Sequence, residues 1–190
     1  MYQIRIHGRG GQGVVTGAEM LSIASFLEGH HAQAFPSFGS ERTGAPVVAY
    51  CRIDEKEIRL REPIMQPDTV IIQDPTLLAQ VDVLGGLTGN GYVLINARHG
   101  LESPALASAM AGVPAERVVC VNATDLALEH VGRAVPNVPL LGAFAAATGL
   151  IALESVCAAI REKFSGKVAE GNIAAASAAY HAVLGERVHA

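Results

Sequence analysis

The sequence predicts an α/β fold: a mostly parallel, doubly wound, Rossmann-like sheet with helices on both faces and one antiparallel hairpin. Three observations carry this expectation. First, the apolar-biased strand Ile4-Arg5-Ile6-His7 runs into Gly8-Arg9-Gly10-Gly11-Gln12-Gly13, with four glycines in six positions, and a helical pattern opens at Val14. Second, short β-branched runs recur at residues 69–73, 92–96 and 117–121, separated by helical or turn-like stretches. Third, half of the residues are apolar and only 17% are charged, so one large buried core over residues 1–190 is expected, without low-complexity linkers or repeats.

Taken in order, the first helix puts Val14, Ala18, Leu21 and Ser25 on one face and stops near Glu28-Gly29, where glycine supplies the usual C-terminal signal. A short strand at 31–35 follows. Residues 36–46 then form a proline-bounded loop whose length, without its own periodicity, suits a binding segment. Residues 47–53 read as a strand, Asp54-Glu55-Lys56 as a turn, and residues 57–60 as the returning arm of a hairpin. After the strand at 69–73, closed by Asp74-Pro75, come a short helix at 76–80 and a glycine-rich turn at 84–91. Tyr92-Val93-Leu94-Ile95-Asn96 is the clearest buried strand; residues 104–112 are helical or irregular, and 117–121 form another strand. Asn122-Ala123-Thr124-Asp125 supplies N-cap candidates for a helix to about Gly132. Pro136-Asn137-Val138-Pro139 breaks the chain before an alanine-rich helix at 140–148. Two more helices carry Leu153, Val156, Cys157, Ile160 and Phe164, then Ile173, Ala176, Tyr180, Val183 and Leu184, at helical spacing.

Composition excludes several classes of function. The net charge of -4 and scattered arginines give no basic stripe for nucleic acid. No stretch approaches the roughly 18 uninterrupted apolar residues of a membrane span, and Met1-Tyr2-Gln3 leads straight into a strand, so no signal peptide and a cytoplasmic location are expected. Cys51, Cys120 and Cys157 stand far apart with no C-x-x-C pair, which argues against a disulfide framework, a zinc site or an iron–sulfur cluster on this chain. His30, His31 and His99 lack metal-site spacing, and no G-x-S-x-G elbow anchors a serine nucleophile.

The glycine loop points to an anion. Free N–H groups and the positive end of the macrodipole meet at a helix N-terminus, and glycine lets phosphate approach the backbone. Gly8-x-Gly10-x-x-Gly13 also fits the dinucleotide fingerprint in its strand-to-helix setting. Nicotinamide dinucleotides further require an acidic residue at the end of the second strand. That strand ends at Phe35-Pro36-Ser37, and Glu28, at the right distance in sequence, falls at the end of a helix instead. Other groups converge on the same sheet edge: Gln12 in the loop, Asn96 at a strand end, Asn137 at a helix start, and Ser40, Glu41 and Arg42 in the loop after the second strand. Amides suit a ligand rich in hydroxyl, amide and phosphate oxygens, and Arg9 and Arg42 each offer a planar fork to phosphate. The plainer alternatives stand beside this: Asn96 and Asn137 as backbone caps, Arg42 as a surface partner of Glu41.

Three segments in the same order resemble the gamma subunit of 2-oxoacid:ferredoxin oxidoreductases, most of all the pyruvate-type gamma chain. They are Ile6-His7-Gly8-Arg9-Gly10-Gly11-Gln12-Gly13, then Ala34-Phe35-Pro36-Ser37-Phe38-Gly39-Ser40-Glu41-Arg42-Thr43-Gly44-Ala45-Pro46-Val47, then Pro136-Asn137-Val138-Pro139-Leu140-Leu141-Gly142-Ala143. Thr43 departs from the pattern, since a second arginine or a glycine is common there. The resemblance implies a multi-subunit enzyme that decarboxylates a 2-oxo acid to acyl-coenzyme A, pyruvate by default, with an aromatic oxo acid such as phenylglyoxylate also within the family. It implies thiamine diphosphate with magnesium and iron–sulfur clusters in alpha-, beta- and delta-type partner subunits, and ferredoxin or an NAD-reducing subunit as acceptor. This chain is then expected to help bind coenzyme A through Gly8, Arg9, Gly10, Gly11, Gln12 and Gly13, with Ser40, Glu41, Arg42, Asn96 and Asn137 closing the site, and to be inactive alone. Two alternatives accompany it: a purely structural subunit, for which the small residues at 143–147 would suit an interface, and an NAD(P)-binding reductase.

Overall fold

A computed structural model of the chain describes residues 1–37 and 43–188. Its strands are β1 (Tyr2–Arg9), β2 (His31–Pro36), β3 (Pro46–Asp54), β4 (Thr69–Ile72), β5 (Tyr92–Asn96) and β6 (Val118–Val121). Its helices are α1 (Val14–Leu27), α2 (Pro104–Met110), α3 (Ala123–Val131), α4 (Asn137–Thr148), α5 (Leu153–Lys163) and α6 (Gly166–Val188). The sheet order is β2-β3-β1-β4-β5-β6. β1, β4, β5 and β6 run parallel, while β3 alone opposes its neighbours β1 and β2. The expected mostly parallel α/β sheet with helices on both faces is therefore observed.

The period-2 pattern of each strand sorts side chains between two faces. On the first face, Ile4, Ile6, Cys51, Ile71, Leu94 and Val121 pack beneath α1, α3, α4, α5 and α6. On the second, Val70, Ile72, Val93 and Ile95 pack against Leu77 of a short helical turn, Pro75–Ala79, and against Leu106 and Met110 of α2. α4 is buried on all sides from Asn137 to Ala147, so its small residues serve packing within the chain rather than a subunit interface. α4 begins at Asn137, earlier than the prolines suggest, because Pro139 sits in the first turn, where a helix needs no N–H.

The expected hairpin is corrected. Residues 57–60 form no strand, and β3 takes both of its partners from elsewhere, inserted between β1 and β2. With both edges of β3 in use, the chain after Asp54 crosses the second sheet face instead. It is held there by two buried arginines: Arg52 Nη2 donates to the Glu62 carbonyl at 2.6 Å and Arg5 Nη1 to that of Ile64 at 3.3 Å. Sequence periodicity misses this because arginines inside a strand look like solvent-facing positions.

His7 lies on the same polar half-face, buried, with neither ring nitrogen hydrogen-bonded among the described residues. Burial, reinforced by the Arg5 charge, pushes its imidazole down from 6.5 to about 4. Between those values the unfolded chain takes up a proton that the folded chain refuses. Stability contributed by neutral His7 is thus complete above pH 6.5 and lost as pH falls towards 4. The loss is on the order of 3 kcal/mol. His7→Leu is expected to shrink the difference between urea-derived stabilities at neutral pH and near pH 4 by about that amount; an unchanged difference would refute the assignment.

Candidate functional site at the glycine loop

β1 delivers the chain to the carboxyl edge of the sheet beside β4, where strand order switches and open α/β sheets bind ligands. Gly8 passes so close to α1 that a Cβ there would lie 2.6 Å from Val14 Cγ2 and 2.9 Å from Gln73 Oε1. Gly11 and Gly13 take φ of +95° and +70°, the left-handed region that favours glycine. The helical ladder starts with Gly17 N–H donating to Gly13 O at 2.8 Å, so the N–H groups of Val14, Val15 and Thr16 precede it. Among the described residues no side chain caps this end, and no acidic residue occupies the first turn. These groups border an open depression of about 320 Å³, shared with Arg9, Gly10 and Val47.

The loop is braced from beneath and beside. Arg9 N–H donates to Gln12 Oε1 at 2.7 Å, and Gln12 N–H returns to Arg9 O at 3.0 Å, so the Gln12 amide folds back on its own loop. Gly10 exchanges backbone hydrogen bonds with the returning segment: its N–H donates to Ala45 O and its carbonyl accepts from Gly44 N–H. Arg9 extends its whole fork to protein: Nε to Asp74 Oδ2 at 2.9 Å, Nη1 to Gly44 O at 3.1 Å, and Nη2 to Thr76 Oγ1 at 2.8 Å and Gln80 Oε1 at 3.2 Å. Burial acts to raise the Asp74 carboxyl, but hydrogen bonds from Thr76 and Arg9 outweigh it and hold the group below its usual range. Arg9 is thereby a clamp joining three segments, and not the free phosphate fork suggested by sequence.

The remaining expected residues divide. Asn137, buried at the start of α4, donates from Nδ2 to Gly13 O at 3.2 Å and so lies directly against the loop. Asn96 is committed elsewhere: Nδ2 donates to Gln73 O and to Thr124 Oγ1, and Oδ1 accepts from Thr124 N–H, capping α3 from a neighbouring strand. Ser40, Glu41 and Arg42 lie outside the described residues, although Thr43, next to them, bridges to Gly10. Glu28 lies at the opposite end of α1 from the loop, and its carboxylate accepts from Ala152 N–H at 2.6 Å, so it has no place near a ribose here.

Sequence reasoning missed Thr16 and Val47, which line the depression, and Gln73, which is buried with no hydrogen-bond partner for its Oε1 among the described residues. It also missed Asp74, although Asp74-Pro75-Thr76 carries a legible signal: a capping carboxylate before a proline at the first helical position. The cysteines lie on β3, β6 and α5 as free thiols. Burial pushes the Cys51 thiol up to about 12, and no cluster of three metal-ligating side chains occurs among the described residues.

A family model described as pyruvate ferredoxin/flavodoxin oxidoreductase matches residues 3–182. The common gamma subunit of the pyruvate/ketoisovalerate oxidoreductases of Pyrococcus abyssi is 47% identical over 180 residues, covering 95% of this chain and 96% of the relative. The crystal structure of a pyruvate oxidoreductase PORC subunit from Thermotoga maritima aligns with a TM-score of 0.79 and 34% identity over 95% of both chains. A 2-oxoglutarate:ferredoxin oxidoreductase from Magnetococcus marinus, solved with 2-oxoglutarate, coenzyme A and succinyl-CoA, shares the fold at a TM-score of 0.75 and 17% identity, over 97% of this chain and 31% of that one. A match over nearly the whole length leads to one conclusion: this chain belongs to the pyruvate ferredoxin/flavodoxin oxidoreductase family, in its gamma-subunit line.

Proposed function

We propose that the chain, acting as one domain, holds and orients coenzyme A within a cytoplasmic oxidoreductase that converts a 2-oxo acid, pyruvate by default, to acyl-coenzyme A. The observation that carries this is the first turn of α1, whose N–H groups have no partner among the described residues and border a depression lined by the left-handed Gly11 and Gly13. The relative crystallised with coenzyme A shares this fold and supports the reading. Alpha-, beta- and delta-type subunits are its partners, and ferredoxin or an NAD-reducing subunit takes the electrons. In those partners, thiamine diphosphate with magnesium supplies the decarboxylation chemistry and iron–sulfur clusters the electron path. On this chain the task is positioning. Val14, Val15 and Thr16 amides hold phosphate oxygens, Asn137 fixes Gly13 from beneath, and Arg9 fixes the loop against Asp74 and Gly44. Holding the ligand's other end still turns a bimolecular acyl transfer into an effectively local one.

Calorimetry of the assembled oxidoreductase with coenzyme A tests this. One site per copy of this chain is expected, with a dissociation constant raised about tenfold by Arg9→Ala, corresponding to about 1.4 kcal/mol. Absence of binding, or full affinity in a complex lacking this chain, would remove the proposal.

A further inference from the structure

The two edges of the sheet differ. β6 closes one side with only four residues. β2 closes the other with six, paired one-to-one with β3 from His31↔Asp54 to Pro36↔Ala49 without a bulge. Edge strands are ordinarily blunted by a charge, an inner proline, a bulge or a cover. β2 contains no lysine, arginine, aspartate or glutamate, and its proline is the last residue. Directly before the turn into it, Phe26 and Leu27 end α1 with 72% and 47% exposure. An exposed apolar pair beside an unprotected strand marks a contact surface.

The hydrogen-bond phase of β2 defines what fits there. Ser37 N–H donates to Val48 O at 2.8 Å, so the odd-numbered residues of this strand are the ones bonded to β3. Ala32 and Ala34 therefore turn their N–H and C=O groups away from β3, and no hydrogen bond joins these groups to any described residue. Donors and acceptors alternate along one extended edge, a set that a second extended backbone satisfies in full.

We infer that β2 pairs antiparallel with β2 of a second copy of this chain, about a two-fold axis through Gln33. In this register the Ala32 N–H and C=O bond the C=O and N–H of Ala34 in the second copy, and the symmetric pair repeats the exchange. Every outward group of Ala32 and Ala34 is then used on both copies. A two-fold contact presents one patch to itself, so a charge at the axis would face its own likeness. β2 holds no such residue. Instead the two Gln33 amides meet at the axis, where each donates to and accepts from the other. On the opposite face Ala34 packs into the core with α1, and its small side chain lets the two sheets continue as one. A strand from a different subunit is the competing occupant.

Gln33→Cys, in the full chain and in the assembled oxidoreductase, separates the two. Residues facing each other in a non-hydrogen-bonded antiparallel pair have Cα atoms about 4.5 Å apart, within the span of a disulfide. Mild oxidation is expected to join two copies of this chain covalently. His31→Cys, which falls opposite Phe35 in this register, is expected to leave the copies unlinked. So is the wild type, whose cysteines lie in β3, β6 and α5. Ala34→Pro removes an outward N–H without touching the bonds to β3. It is expected to raise the dissociation constant of the dimer at least about tenfold by analytical ultracentrifugation. If that variant does not fold, the cross-link decides alone. A Gln33→Cys cross-link to a different subunit, or none between copies in the fully assembled variant, would overturn the self-pairing.

Discussion

Gly142→Ala is expected to destabilise the chain by about 3 kcal/mol, lowering the melting temperature on the order of 10 °C. Alanine normally improves a helix interior by about 1 kcal/mol over glycine, through its smaller loss of backbone entropy. At Gly142 this gain is overwhelmed. A Cβ there would overlap the backbone carbonyl oxygen of Ala176 and come 2.7 Å from its carbon. The obstacle is the main chain of α6, which no rotamer change can move, and Ala176 is fully buried. α4 and α6 would have to separate in a core that is otherwise close-packed. Gly185, also in α6 but exposed with nothing within 4 Å of a Cβ, provides the control. Gly185→Ala should leave stability unchanged or raise it by up to about 1 kcal/mol. Thermal unfolding of both variants decides the matter: equal melting temperatures would refute the close-approach explanation.

Gly13→Ala is expected to lower coenzyme A affinity about a hundredfold, with a smaller loss of stability of about 2 kcal/mol. Two causes act together. Gly13 has φ of +70°, a conformation that costs an L-residue about 1 kcal/mol or more. Its new Cβ would also overlap the Asn137 side-chain amide. That amide is buried and donates to Gly13 O, so it cannot swing aside without leaving a polar group unpaired. The relaxed structure displaces the first turn of α1, and with it the N–H groups of Val14, Val15 and Thr16. Titration of the assembled enzyme with coenzyme A measures the effect. Wild-type affinity in this variant would show that the first-turn amides do not hold the ligand.

These two glycines mark what was legible in the sequence. Gly13 could be singled out beforehand, because a glycine cluster between a strand and a helix has a local physical meaning. Gly142 could not, since its neighbour across the helix crossing lies far away in sequence. The same contrast runs through the site. Asn137 lies against the glycine loop through its bond to Gly13 O. Asn96 shares the sheet edge, but its amide is taken by Gln73 and Thr124, a choice that depends on which strand lies beside which. Arg9 reads in sequence as a phosphate ligand because nothing local shows that Asp74, Thr76 and Gln80 will surround it.

The sequence by itself determined the alternation of strands and helices, the glycine turn at the mouth of α1, and the absence of a carboxylate at Phe35-Pro36-Ser37, where the second strand ends. All three follow from short-range causes: hydrophobic period, backbone freedom and residue chemistry within a few positions. Only the tertiary structure decided that β3 enters between β1 and β2 instead of folding onto residues 57–60. It alone turned Arg9 into a clamp joining three segments. Those outcomes depend on long-range pairing, where the satisfaction of buried backbone and guanidinium groups selects among arrangements that local pattern leaves equivalent.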